Sequence, residues 1–127
     1  MATGLENLKI YQMAKTLELE IFRIIQNFPP DERFRSVDQL SRSSSSVTNN
    51  IAEAYNKKSI KEKIRILNDI VKGEANETRS NLEVCLEKGF HKEKQLISLC
   101  TEFLMALSGY IRFLRNSELK TSKLTNL

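Results

Sequence analysis

Apolar residues recur at alternating steps of four and three in four separate stretches of the chain, the spacing that gathers them on one face of an α-helix. In the first stretch Ile10, Ala14, Leu17, Ile21, Ile24 and Phe28 form the seam, with Tyr11, Phe22 and Ile25 on its flank. The spacing predicts a helix from about Asn7, a candidate N-cap, to Asn27. Pro29-Pro30 ends it, because proline disfavours helical geometry in the residue before it and cannot donate to the helical ladder. Asp31 to Arg35 reads as a charged connector, and Met1 to Glu6 carries no pattern and is expected to fray. A third seam, Ile60, Ile64, Leu67, Val71, Ala75, Thr78, Leu82 and Cys85, starts at the capping box Ser59/Glu62 and ends at Lys88-Gly89, where glycine supplies a left-handed residue. Gly73 in its middle reads either as a close helix crossing or as a glycine the helix merely tolerates. The fourth holds Leu96, Cys100, Phe103, Leu107, Tyr110 and Leu114, broadened by Met105 and Ile111.

The second stretch, Ser36 to Tyr55, has a composition that argues against a helix. Serine, threonine and asparagine compete with the backbone for hydrogen bonds, and Ser43 to Asn50 is almost all of these. Leu40, Ser44, Val47, Ile51 and Ala54 nevertheless keep the helical spacing, and Ser36 with Gln39 forms a candidate capping box, so the pattern predicts a helix over 37–56. Ser43, Ser46, Asn50, Glu53 and Lys57 make a second, polar stripe on the same helix, of which we assign Ser43, Ser46, Asn50 and Glu53 to contact with another subunit.

Four amphipathic helices with short connections predict an all-α, antiparallel up-down-up-down four-helix bundle over 1–116, followed by a disordered polar tail over 117–127. The 127 residues are enough for one core, and 7% aromatic content with 4 glycines and 2 prolines excludes a β sandwich. No apolar run is read as reaching the roughly 20 residues that span a bilayer, and no signal sequence opens the chain, so no membrane association and a cytoplasmic location are expected. Cys85 and Cys100 fall on apolar seams and are expected to be reduced core thiols. Leu8, Leu19, Ile66, Ile97, Leu99 and Met105 lie off the principal seams, a surplus that oligomerisation would bury.

The chemistry-bearing residues are sparse. There is no phosphate loop, nucleophile elbow or zinc motif, and His91 has neither base nor metal partners in the sequence. Two glutamates on adjacent helices, such as Glu53 and Glu77, could in principle share a proton or a metal, but no Glu-x-x-His accompanies them, which leaves a metal-dependent bundle enzyme without its ligands. No catalytic residue, cofactor or metal site is assigned. Charge says more. The net charge is +4, and an up-down arrangement would gather Lys9, Lys57, Lys58, Lys61, Lys63, Arg65, Arg112 and Arg115 at one pole, with Lys120 and Lys123 beyond. Asp31, Glu32, Asp38, Glu83, Glu87 and Glu93 would fall at the other. We read Lys57, Lys58, Lys61, Lys63, Arg65, Arg112 and Arg115 as a phosphate-binding surface.

The segment Arg42 to Ala54, RSSSSVTNNIAEA, together with Lys58-Ser59, Leu67, Gly73, Glu77 and Leu82, resembles the bacterial four-helix-bundle family encoded by intervening sequences in 23S ribosomal RNA genes. Asn50, Ile51, Ala52 and Glu53 fit its motif, while Thr48 stands where proline is usual and Ala54 where glycine is usual. The family is similar in fold to the accessory proteins of diversity-generating retroelements, and this implies a homopentamer and a nucleic acid or a reverse transcriptase as partner. The expected function is that of a non-enzymatic, oligomeric protein, RNA- or DNA-associated or scaffolding. The other reading is a protein-interaction adaptor with no nucleic-acid role.

Overall fold

Each apolar seam closes into a helix in the computed structural model of the chain, which describes residues 4–125, with side chains described through Thr121. After a 3₁₀ turn at Leu5–Asn7, α1 spans Lys9–Ile25. A second 3₁₀ turn at Pro30–Glu32 leads into α2, Ser36–Asn56. The third helix, α3, runs without a break through Ile60–Ile66, a π turn at Leu67–Val71 and Lys72–Glu87. The last, α4, covers Lys94–Thr125. The fold is all-α, with no strand among the described residues.

Two of the predicted caps are replaced by other contacts. Asn7 closes the 3₁₀ turn, and Leu8, with an extended backbone and no side-chain cap, takes the N-cap position of α1. Ser36 does not cap α2 either. Arg35 sits at the N-cap, and the Ser36 hydroxyl instead donates to Glu32 Oε1 at 2.7 Å, because the Pro30–Glu32 turn presents that carboxylate first. The Ser59 cap holds, with the Glu62 N–H donating to Ser59 Oγ at 3.0 Å. At the far end of α3 the Phe90 N–H reaches the Cys85 carbonyl and the Gly89 N–H the Leu86 carbonyl, a Schellman closure with Gly89 at φ 82°.

The polar run of α2 is helical throughout, held by its apolar seam, and its side chains are satisfied by bonding back onto their own helix. Ser44 Oγ donates to the Leu40 carbonyl at 2.6 Å, Thr48 Oγ1 to the Ser44 carbonyl at 3.4 Å and Asn50 Nδ2 to the Ser46 carbonyl at 2.8 Å. These hydroxyls therefore tolerate burial, while Leu40, Val47, Ile51 and Ala54 supply the apolar seam.

The π turn answers a fault in the α3 pattern. Leu67, Val71 and Ala75 are separated by two consecutive steps of four, and each such step rotates the seam by about 40° on a regular helix. One extra residue accommodated at Leu67–Val71 cancels that drift, so all three stay buried. Gly73, just beyond, does not mark a helix crossing: it is exposed, and nothing lies within 4 Å of where its Cβ would be.

The core divides into two clusters, each drawing on all four helices. One joins Ile10 and Ala14, Val47 to Ala54, Ile66 to Ala75, and Phe103 to Leu114. The other joins Leu17 to Phe28, Leu40, Leu82 and Cys85, and Leu96 and Cys100. Ile66, expected off the seam, is buried, and Phe22, expected to flank the core, is 63% exposed. Leu19, Met105 and Phe113 are likewise exposed. By length and composition Lys94–Thr121 is apolar enough to cross a membrane, contrary to the sequence expectation. In this fold it is the core helix that buries Leu96, Cys100, Phe103, Leu107, Ile111 and Leu114. Helical structure also continues past Ser117 to Thr125, where composition predicts a disordered tail.

Candidate functional site

The connection between α2 and α3 is three residues long, Lys57 to Ser59, and concentrates cations where two helix ends meet. Not all of them face outward. Lys63 reaches back from the first turn of α3 and donates from Nζ to the Tyr55 carbonyl at 2.6 Å and the Ala54 carbonyl at 3.4 Å, with the ammonium 5.3 Å from the Tyr55 ring centroid. It neutralises the negative end of α2 and is spent there. Lys57 lies 3.9 Å from Glu53 and Arg65 3.3 Å from Glu62, both exposed pairs that phosphate can displace. Lys58 and Lys61 are exposed.

Two clefts open between α3 and α4. The first, of about 310 Å³, is lined by Lys61 and Ile64 from α3 and by Arg115, Glu118 and Leu119 from α4. The second, of about 340 Å³, is lined by Arg79 from α3 and by Thr101, Leu104, Met105, Ser108 and Arg112 from α4. The structure thus brings Lys61 and Arg115 together and puts Arg112 one turn along with Arg79, which the sequence reading leaves out. Arg79 is held in place by Asn76 Oδ1 at 3.1 Å and Thr101 Oγ1 at 3.4 Å, with Glu83 3.9 Å away. Lys9 and Lys120 are exposed, and the side chain of Lys123 lies outside the described residues.

The polar stripe of α2 separates into different environments. Ser43 is fully buried against Thr78, Oγ to Oγ1 at 2.8 Å, so it belongs to the chain's own core and is corrected as a subunit contact. Asn50 Nδ2 donates to Ser46 Oγ at 3.0 Å, both half-buried, and Glu53 is exposed.

The other end of the molecule is ordered by ionisable groups with structural tasks. The Ser36 hydroxyl holds the Glu32 carboxyl below the usual carboxylate range, and Arg23, bonded to Glu20 and Glu93, does the same for Glu93. His91 is buried: its Nδ1 accepts the Glu93 N–H at 3.0 Å, which leaves Nε2 to donate to the Leu82 carbonyl at 2.9 Å. The ring stacks on Phe28 at 6.2 Å and ties the α3–α4 connection to the end of α1. Burial pushes the Cys100 thiol up to about 12 and raises that of Cys85. Among the described residues no three His, Cys, Asp or Glu side chains gather as a metal-binding group.

Arg79 was legible in principle. Thr101, Met105, Ser108, Arg112, Arg115 and Leu119 follow steps of four, three, four, three and four, a second stripe on α4 beside the buried one. Grouping cations by helix end hides it, whereas grouping by helix face shows it, and Arg79 is the α3 side chain that the packing sets opposite.

No curated protein matches the chain. A family model described as 23S rRNA-intervening sequence protein matches residues 6–109, covering α1, α2, α3 and the first half of α4, while Arg112 and Arg115 lie beyond it. With a match over most of its length and an all-helical fold, the chain belongs to the 23S rRNA-intervening sequence protein family.

Proposed function

We propose that this is a non-enzymatic protein that associates with structured RNA or DNA through phosphate contacts and acts as an assembly of identical copies. The observation that carries the reading is the meeting of Lys61 and Arg115 in one cleft beside the exposed Lys58. Cations drawn from two helices onto one surface favour a polyanion with little need to read bases. The reading takes the helices to run up-down-up-down. In its support, the first core cluster combines the start of α1, the end of α2 and the start of α3 with the second half of the α4 seam, and the connections are short. Self-association, as a homopentamer by family resemblance, draws support from exposed Leu19, Phe22 and Phe113, apolar surface that one copy leaves in water. We place its work in the cytoplasm, with a reverse transcriptase as a candidate protein partner on the same resemblance.

The test is binding of a structured RNA, followed by fluorescence anisotropy across a salt series. Affinity falls steeply with salt, and Lys58→Glu with Lys61→Glu weakens binding to all sequences alike, whereas Lys92→Glu with Lys94→Glu does not. Equal effects of the two pairs, or no binding at low salt, overturn the proposal in favour of a protein-interaction adaptor. Light scattering at micromolar concentration reads the assembly, and a monomeric mass removes it.

A further inference from the structure

The two α3–α4 clefts lie one after the other along a single face of α4 and together are taken as a furrow. The stripe of α4 that lines them keeps a single helix face from Thr101 to Leu119, and α3 closes the opposite wall at Lys61 and Ile64 near one end and at Arg79 near the other. Arg79 Nη1 lies 3.4 Å from Thr101 Oγ1, which fixes its level on α4. From that level to Arg115 is about 21 Å at the ~1.5 Å rise of a helix. Along this length four cations, Lys61, Arg115, Arg112 and Arg79, alternate with apolar surface from Ile64, Leu119, Leu104 and Met105, of which Met105 is 71% exposed. The carboxylates nearby are Glu118 in the first cleft and Glu83 beside Arg79.

We infer that this furrow is a track for single-stranded nucleic acid, which deepens the phosphate-binding reading and rests on it. Packed helices stand roughly 8–10 Å apart, so the furrow between two of them is one strand wide and does not admit a duplex. Charge spaced along a line suits a backbone followed lengthwise, and apolar surface between the cations suits unpaired bases, which a duplex keeps stacked inside. Paired nucleic acid offers the furrow phosphates alone. The ~21 Å between the Arg79 and Arg115 levels corresponds to about six phosphates at the ~3.4 Å spacing of a stacked strand.

The experiment measures anisotropy of labelled oligouridylates of increasing length and of an RNA duplex, at low salt, on the full chain. Single strands bind more tightly than duplex, with affinity levelling off at about six nucleotides. Arg79→Gln with Arg112→Gln weakens single-strand binding and lowers the salt slope by about 1.4, twice the ~0.7 per phosphate of single strands. Circular dichroism checks that the variant is folded, and should Arg79→Gln fail to fold, Arg112→Gln alone carries half that slope change. A fluorophore on Met105→Cys, with the native thiols buried, changes its emission when a single strand binds. Duplex binding as tight as single-strand binding, or an unchanged Arg112→Gln and a silent Met105 probe while Lys58→Glu with Lys61→Glu still weakens binding, overturns the track and leaves the basic junction standing. No binding of either nucleic acid overturns both.

Discussion

The buried hydroxyl pair between α2 and α3 gives the sharpest test of how this polar core works. Thr78 Oγ1 lies 2.8 Å from the Glu74 carbonyl and 2.8 Å from Ser43 Oγ, and it has one proton to give. A carbonyl only accepts, so the Thr78 proton goes to Glu74 and the Ser43 hydroxyl donates to Thr78. Ser43→Ala then removes one donor and costs about 1 kcal/mol, the usual worth of a net hydrogen bond. Thr78→Val keeps the shape but leaves the fully buried Ser43 hydroxyl without its acceptor, at about 1–3 kcal/mol. The double variant replaces both partners by apolar groups and costs about 0–1 kcal/mol, so the cycle shows a coupling of roughly 1–4 kcal/mol. Urea unfolding followed by circular dichroism reads all four proteins, and each kcal/mol shifts Tm by about 3–5 °C in a chain of this size. Strictly additive costs would refute the donor assignment and the contact with it. A Tm for Ser43→Ala whose dependence on protein concentration differs from that of the wild type would return Ser43 to a subunit interface.

Deleting Asp69, an exposed residue inside the π turn, restores steps of three and four to the α3 seam and leaves Tm at or above that of the intact chain, whereas deleting Asn76 rotates the seam by about 100° and unfolds it. A thermal melt in which both deletions behave alike rejects the insertion account. Cys85 and Cys100 stay unreactive toward a disulfide reagent at pH 8 in the folded protein and both react once guanidinium unfolds it; rapid labelling of the native chain contradicts their burial. Because Glu32 and Glu93 titrate below their ordinary value of 4.5, the stability they lend is complete above it and is lost as pH falls through their lowered values. Tm measured from pH 6 downward therefore drops, and drops less in Ser36→Ala, where the Glu32 carboxylate has lost its donor; superimposable pH profiles count against that bond.

The seams were legible because burial follows period: nearly every residue assigned to them is buried, including those of the serine-rich helix whose composition opposes the assignment. Caps were less legible, since a cap depends on which acceptor arrives first. Ser36 has the right spacing to Gln39, yet the turn at Pro30–Glu32 offers it a carboxylate. Gly73 shows the opposite limit, for the cost of a glycine in mid-helix says nothing of what stands beside it, and here none of the described residues packs within 4 Å of its Cβ position. The two steps of four around Val71 were visible in the sequence as a departure from the alternating pattern. Their resolution as a π turn required knowing that the helix does not break. Ser43 was misplaced because one polar stripe on a helical wheel spans two environments, and a threonine 35 positions along supplies the partner that draws it inward.

Net charge is a poor guide to what this surface offers a polyanion, for the cations near the α2–α3 junction divide by what else holds them. Lys63 satisfies backbone carbonyls at the end of α2, where an unbonded carbonyl costs more than an exposed ion pair returns, so its charge serves the fold. Lys57 and Arg65 have carboxylates within reach but remain exposed enough to exchange them for phosphate. Lys61, Arg112 and Arg115 face clefts shared with another helix, and Arg79 joins them although it lies far from the junction in sequence. Placement on a helix face therefore decides which charges act together, and the basic surface of this chain is better described as a line along the α3–α4 contact than as a cap over one end.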